Sequence, residues 1–105
     1  MVPAGVPPAT LRPAAALFRS LADPARLAIV GQLAAGPARV VDLTRVLGLA
    51  QSTVSGHLAC LRDCGLVTVR PAGRASVYSL AQPALLDLLA AAETLLQARD
   101  PVSST

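Results

Sequence analysis

Cys60 and Cys64 stand four residues apart in the stretch His-Leu-Ala-Cys-Leu-Arg-Asp-Cys-Gly-Leu, from His57 to Leu66. If that stretch is helical, the two thiols lie about 40° apart around the axis and one turn apart along it. Both sulfurs can then reach one metal ion or one thiophilic oxyanion. Thiolates are soft donors, so the pair favours a soft ion such as cadmium or lead over magnesium or calcium. Two other readings of the pair stay open: a thiol redox switch, and two small half-buried helix residues. A disulfide at this spacing would strain the limits on Cα separation and distort the helix, so oxidation would also act on the helix itself.

Gln51, Ser52, Thr53 and Ser55 place short hydrogen-bonding side chains at the start of the same stretch. Side chains of this size let a helix N-terminus approach base edges and phosphates, as a helix entering the DNA major groove end-first must. Val54, Leu58 and Leu61 share another face, directed at a core. Gln51, Ser52, Thr53 and Ser55 are therefore candidates for base or phosphate contact, and His57 is DNA-proximal. Arg45, Arg70 and Arg74 are candidates for neutralising phosphate, with Arg74 at the tip of a hairpin.

These residues need elements to hold them. Apolar Leu11, Ala15, Phe18 and Leu21 recur at helical spacing and predict a first helix ending before Asp23-Pro24. Asp23 can cap a second helix, from Pro24 to about Ala35, because Pro24 fits a first turn where a missing amide costs nothing. Leu27, Val30 and Leu33 would face its core. Val40 to Leu47 is a short third helix closed by Gly48, and Gln51 to Cys64 a fourth, with Ser52 as its cap and Gly65 as its stop. Leu66 to Arg70 and Ala75 to Leu80 read as two strands joined by a turn at Pro71-Ala72-Gly73-Arg74. Pro83 opens a last helix to about Arg99, whose Leu85, Leu88, Leu89, Ala92, Leu95 and Leu96 form a wide apolar stripe. The expected fold is mainly α with a small β-hairpin: a winged helix-turn-helix of five helices and a two-stranded wing. Residues 11–99 would form this domain, with 1–10 as a mobile N-terminal arm and 100–105 as a C-terminal tail.

Composition agrees. The 105 residues are 53% hydrophobic but only 2% aromatic, so the core must be built from Leu, Val and Ala. All nine basic residues are Arg, and eight of them lie in residues 1–80 against three Asp, which makes that part the candidate polyanion binder. No apolar run reaches the roughly 18 residues of a membrane span, and the N-terminus lacks the order of a secretory signal. A cytoplasmic protein with no membrane partner is expected. A single His, six scattered acids and no Gly-rich phosphate loop leave an enzyme little room. The rival of another class is a protein-protein adaptor module, since winged helices also serve protein contacts.

Three blocks carry a family resemblance: Leu21-Ala22-Asp23-Pro24-Ala25-Arg26-Leu27, Gln51-Ser52-Thr53-Val54-Ser55-Gly56-His57-Leu58 and Leu61-Arg62-Asp63-Cys64-Gly65-Leu66-Val67. In this order and spacing they resemble the ArsR/SmtB metal-responsive repressors over about residues 14–98. The resemblance implies a homodimer joined through the first and last helices and a palindromic double-stranded operator released when an inducer binds. Two sensing sites used within the family lack their residues here: Ala38 to Leu43 has no cysteine, and the last helix has no His. The segment from His57 to Leu66 instead is similar to that of the cadmium/lead sensors of the CmtR type, where such a cysteine pair supplies two ligands and a tail cysteine the third. It implies cadmium or lead as inducer, ahead of zinc or arsenic. The tail here, Ala98 to Thr105, has no cysteine, and His57, within about 60° of both thiols, is a candidate substitute.

Overall fold

The computed structural model describes residues 4–99. A single 3₁₀ turn, Pro8–Leu11, takes up the end of the expected arm and leads into α1, Arg12–Leu21. It is followed by α2 (Pro24–Ala34), β1 (Ala38–Arg39), α3 (Val40–Leu47), α4 (Gln51–Asp63), β2 (Val67–Ala72), β3 (Ala75–Leu80) and α5 (Ala84–Arg99). This is the expected winged helix-turn-helix, with one addition. Ala38 and Arg39 pair antiparallel with Tyr78 and Val77, giving a three-stranded sheet of order β1-β3-β2. Two residues are too few to show an alternating pattern, and only the free edge of β3 makes them a strand.

Local chemistry sets each boundary. Asp23 is extended, and its Oδ1 accepts from the amides of Ala25 and Arg26 at 2.8 and 3.2 Å, capping α2. The hydrogen bond donated by the Arg26 backbone amide is the first cause holding the Asp23 carboxyl below its ordinary 3.8. Asp42 is also held low, chiefly by hydrogen bonds from the Arg39 guanidinium, two contacts of 3.1 Å at the start of α3. A depressed folded-state value means that each carboxylate stabilises the fold above its ordinary pKa and that this contribution is lost as pH falls below 3.8 through the lowered value. Asp23→Asn keeps a cap acceptor without the charge, and Asp23→Ala loses both. In thermal melts at neutral pH, Asp23→Ala is expected to fall below the parent and Asp23→Asn to stay near it. In acid titration both variants should lose part of the limb below pH 4; superimposable acid limbs would refute the assignment.

Helix α4 ends in a Schellman turn. The amide of Leu66 donates to the Leu61 carbonyl and that of Gly65 to the Arg62 carbonyl, both at 2.9 Å, with Gly65 at φ +76°. Leu61 and Leu66 are both buried across this turn, the apolar contact that accompanies the motif. In the hairpin, Ala72 pairs with Ala75, so the loop shrinks to Gly73-Arg74, with Gly73 at φ +64° as its first residue. Pro71 and Ala72, expected in the turn, therefore belong to β2. Proline is tolerated there because β2 is an edge strand.

The core is Leu21, Ile29, Val30, Leu33, Leu43, Val54, Leu58, Leu61, Leu66, Val67 and Leu85. Val54, Leu58 and Leu61 are fully buried, as the spacing on α4 requires. On α2 the expectation needs correction, because Ile29 is buried and Leu27 is exposed. The apolar stripe of α2 is broader than the contact it makes, and its Leu27 edge instead lines a shallow groove with Gly31, Leu89, Ala92, Glu93 and Leu96. Phe18, Leu86, Leu95 and Leu96 are likewise exposed on α1 and α5. No helix among the described residues is long and apolar enough to cross a membrane.

Candidate nucleic-acid interface and thiol site

Gln51, Ser52, Thr53 and Ser55 all project from the first two turns of α4 and are exposed. Ser52 is not the cap. Ala50 holds the N-cap position with extended backbone and offers no side-chain acceptor, and the Ala50 carbonyl takes the amide of Val54. The amides of Gln51, Ser52 and Thr53 thus have no partner within the helix, at the end where the helix dipole is positive. Such an end is an anion site in waiting, in contrast to α2, whose own carboxylate fills that place.

The three candidate phosphate-binding arginines are all exposed. Arg45 on α3 is largely exposed, with a long 3.9 Å ion pair to Asp42. Arg70 lies on β2, where buried Val67 and half-buried Val69 alternate with exposed Thr68 and Arg70, so Arg70 is on the outer face. Arg74 is exposed in the hairpin loop.

His57 faces the other way. Its Nδ1 accepts from Arg26 Nε at 3.2 Å and its Nε2 lies 3.9 Å from Asp23 Oδ1. A bond accepted at Nδ1 places the ring proton of a neutral imidazole on Nε2, toward the carboxylate. With 19% of its side chain exposed, His57 ties α4 to the start of α2. Arg26 completes the tie by donating from Nη1 to the Ser20 carbonyl oxygen at 3.2 Å.

The two cysteines lie beside this tie. Cys64 is the C-cap of α4, and its amide still donates to the Cys60 carbonyl at 3.1 Å, so the one-turn spacing holds through the pair. Both are free thiols; Cys60 is half-buried and Cys64 exposed. Ser20, a buried polar residue at the end of α1, touches Cys64 with Oγ and Sγ 2.6 Å apart. Its hydroxyl proton goes to the Ala16 carbonyl at 3.0 Å, which leaves the thiol as donor to Ser20. Arg19, Ser20, Asp23, Arg26, Cys60 and Cys64 line an open cleft of about 570 Å³. Three helices therefore meet at the thiols, and Ser20, Arg19 and Arg26 are the residues that sequence reasoning missed. Only the place of Arg26, three residues after a capping Asp, hinted at its inward path.

The family model described as "Bacterial regulatory protein, arsR family" matches residues 23–69. A probable mercury resistance operon repressor of Streptomyces lividans is 37% identical over 94 residues, covering 90% of this chain and 72% of that protein. The chain belongs to the ArsR family. The regulator NmtR of Mycobacterium tuberculosis is 45% identical over 75 residues, covering 71% of the chain, and CmtR of Mycobacterium bovis 48% over 67 residues, covering 64%. The matches span 62% and 57% of those two relatives' lengths. Among solved structures, M. tuberculosis Rv0081 superposes with a TM-score of 0.82 at 33% identity, covering 95% of this chain and all of that one. The homodimeric winged helix-turn-helix domain Mb0332 of M. bovis gives 0.78 at 27% identity, covering 98% and 96%. The ArsR-family chain is thus a transcriptional regulator of the winged helix-turn-helix type and not an enzyme.

Proposed function

We propose that this regulator is a homodimeric repressor that reads its operator with the N-terminal end of α4 and with the wing, and that a soft metal ion at Cys60 and Cys64 releases it. The observation that supports the reading is that Gln51, Ser52, Thr53 and Ser55 project from the start of one 13-residue helix whose last turn holds Cys60 and whose C-cap is Cys64. Its first turn offers three unpaired amides and exposed Gln51, Ser52, Thr53 and Ser55 to bases and phosphates; its last turn carries the thiols against α1. A bound ion supplies a strong, pH-sensitive bond between deprotonated thiolates. The chain's own residues do the rest. Cys64 is held by Ser20, and His57 by Arg26 and Asp23, so altering how the last turn sits against α1 and α2 moves a rigid helix whose other end lies in the groove.

The dimer reading rests on the exposed Phe18, Leu27, Leu86, Leu95 and Leu96, which crowd the first and last helices and the groove between α2 and α5. Apolar surface of this extent on a small chain marks an interface, and the solved Mb0332 domain, similar in fold, is homodimeric. Cadmium and lead fit two soft sulfurs, and mercury is named for a relative that matches 90% of the chain. The cytoplasm is the compartment that keeps such thiols reduced.

Titration of the reduced protein on operator DNA with a panel of soft ions tests this reading. At least one ion is expected to lower operator affinity by about 5–150-fold, the usual range of such coupling. Cys60→Ser and Cys64→Ser should bind operator as the parent does and lose the response. A panel without effect while both thiols assay as reduced would refute metal sensing and leave oxidation as the signal.

A further inference from the structure

Among the described residues, two side-chain hydrogen bonds cross from α4 and its C-cap to other elements: Arg26 Nε to His57 Nδ1 at 3.2 Å, and the contact between Cys64 and Ser20. Arg26 is half-buried in the first turn of α2. Its one planar guanidinium donates to His57 on α4 and, through Nη1, to the Ser20 carbonyl oxygen on α1, so a single rigid fork joins three helices. Val54, Leu58 and Leu61 hold the same α4 by apolar burial, which attracts without a preferred direction. The fork supplies the direction. His57 answers it from a closed position: 19% of its side chain is exposed, and Nε2 lies 3.9 Å from Asp23 Oδ1, so both ring nitrogens face groups at the start of α2.

We propose that Arg26 is a positioning residue for sequence recognition: through His57 it fixes the slide and rotation of α4 against the body, so that the pair sets the protein's preference among DNA sequences without touching DNA. The inference rests on the reading of α4 as the helix that enters the groove, and it needs no signal at the thiols. His57 stands six residues after Gln51, roughly 9 Å along the axis. A helix is rigid over that length, so a displacement at His57 reappears at Gln51, Ser52 and Ser55. Base edges are read by short hydrogen bonds that such a displacement breaks, whereas attraction to phosphates is long-range and tolerates it. Loss of the fork therefore removes discrimination and leaves general attraction to DNA in place.

The test compares affinity for two duplexes: one that the parent protein selects from a random-sequence pool, and a shuffled duplex of the same composition. Arg26→Lys keeps the charge and loses the fork, His57→Leu removes the acceptor, and His57→Asn keeps an acceptor at the place of Nδ1. With every variant measured below its melting transition, Arg26→Lys and His57→Leu should each lower affinity for the selected duplex at least about fivefold, as much as one mismatched base pair costs. Affinity for the shuffled duplex should stay within about twofold, because the phosphate contacts are unchanged. The double variant should lose no more than the worse single one, as members of one unit do, and His57→Asn should recover most of the loss. The chain has one histidine, and its nitrogen-15 spectrum should show the Nε2–H tautomer both free and on DNA. Equal losses on both duplexes would assign Arg26 to the fold or to bulk charge and overturn the proposal. Additive losses would make His57 a DNA contact in its own right and overturn it too. If neither variant weakens the selected duplex while Gln51→Ala does, positioning fails and the reading of α4 stands; if Gln51→Ala combined with Ser55→Ala is equally without effect, both fail.

Discussion

Arg70→Ala combined with Arg74→Ala should weaken operator binding at least tenfold at physiological salt and flatten its salt dependence. Both side chains are exposed, one on the outer face of β2 and one in the two-residue loop, where they have no structural task to lose. Each phosphate contact releases condensed counterions and contributes about 0.9 to the slope of log affinity against log salt. Four arginines in the proposed dimer contribute about 3.6, so between 50 and 200 mM salt the parent should lose roughly a hundredfold more affinity than the variant. The measurement is a set of fluorescence-anisotropy isotherms at four salt concentrations, with Arg99→Ala at the exposed end of α5 as the control. Parallel slopes for parent and double variant would take the wing out of the interface.

Leu58→Ala acts from the other side of the same helix. Leu58 is fully buried with Val54 and Leu61, and deleting its branched end leaves a cavity that the surrounding helices fill only in part. The expected cost is about 2–5 kcal/mol, against a total of about 5–15 kcal/mol for a domain of ordinary stability. The melting midpoint, compared at fixed protein concentration because dimerisation contributes, should fall by roughly 10 °C or more. Below the transition the variant should still bind operator, because Leu58 is buried in the core whereas Ser52 and Ser55 are exposed. A shift under about 1 kcal/mol would mean that α4 packs less closely than its burial implies.

The recognition helix was legible because three independent signals agree on it. Val54, Leu58 and Leu61 repeat at helical spacing, Gly65 ends it with the left-handed turn that only glycine takes easily, and the Ser/Thr cluster marks its start. Its cap was not legible: Ser52 has the chemistry of a cap, but the chain becomes extended at Ala50, and that follows from the tight turn after Gly48. Periodicity tells which face a residue occupies and not what another element brings to it. Hence neither the Ser20–Cys64 contact, 44 residues apart, nor the Arg26–His57 bond, 31 apart, follows from spacing, although Cys64 and His57 stand out in the sequence and Arg26 sits in a recognisable block. Leu27 was misplaced for a related reason. A helix apolar around half its girth does not reveal which part of that girth the single chain covers.

Tyr78 occupies the central strand, paired with Ala38 on one side and Val69 on the other, and packs against the core. It is the sole tyrosine of a chain without tryptophan. The intrinsic emission of this protein under excitation that selects tyrosine and tryptophan therefore comes from one ring, seated where the wing joins the body. An unlabelled sample carries its own optical probe of the sheet, and a change in that emission on adding DNA or an ion reports on the wing without any dye attached to the surface being measured.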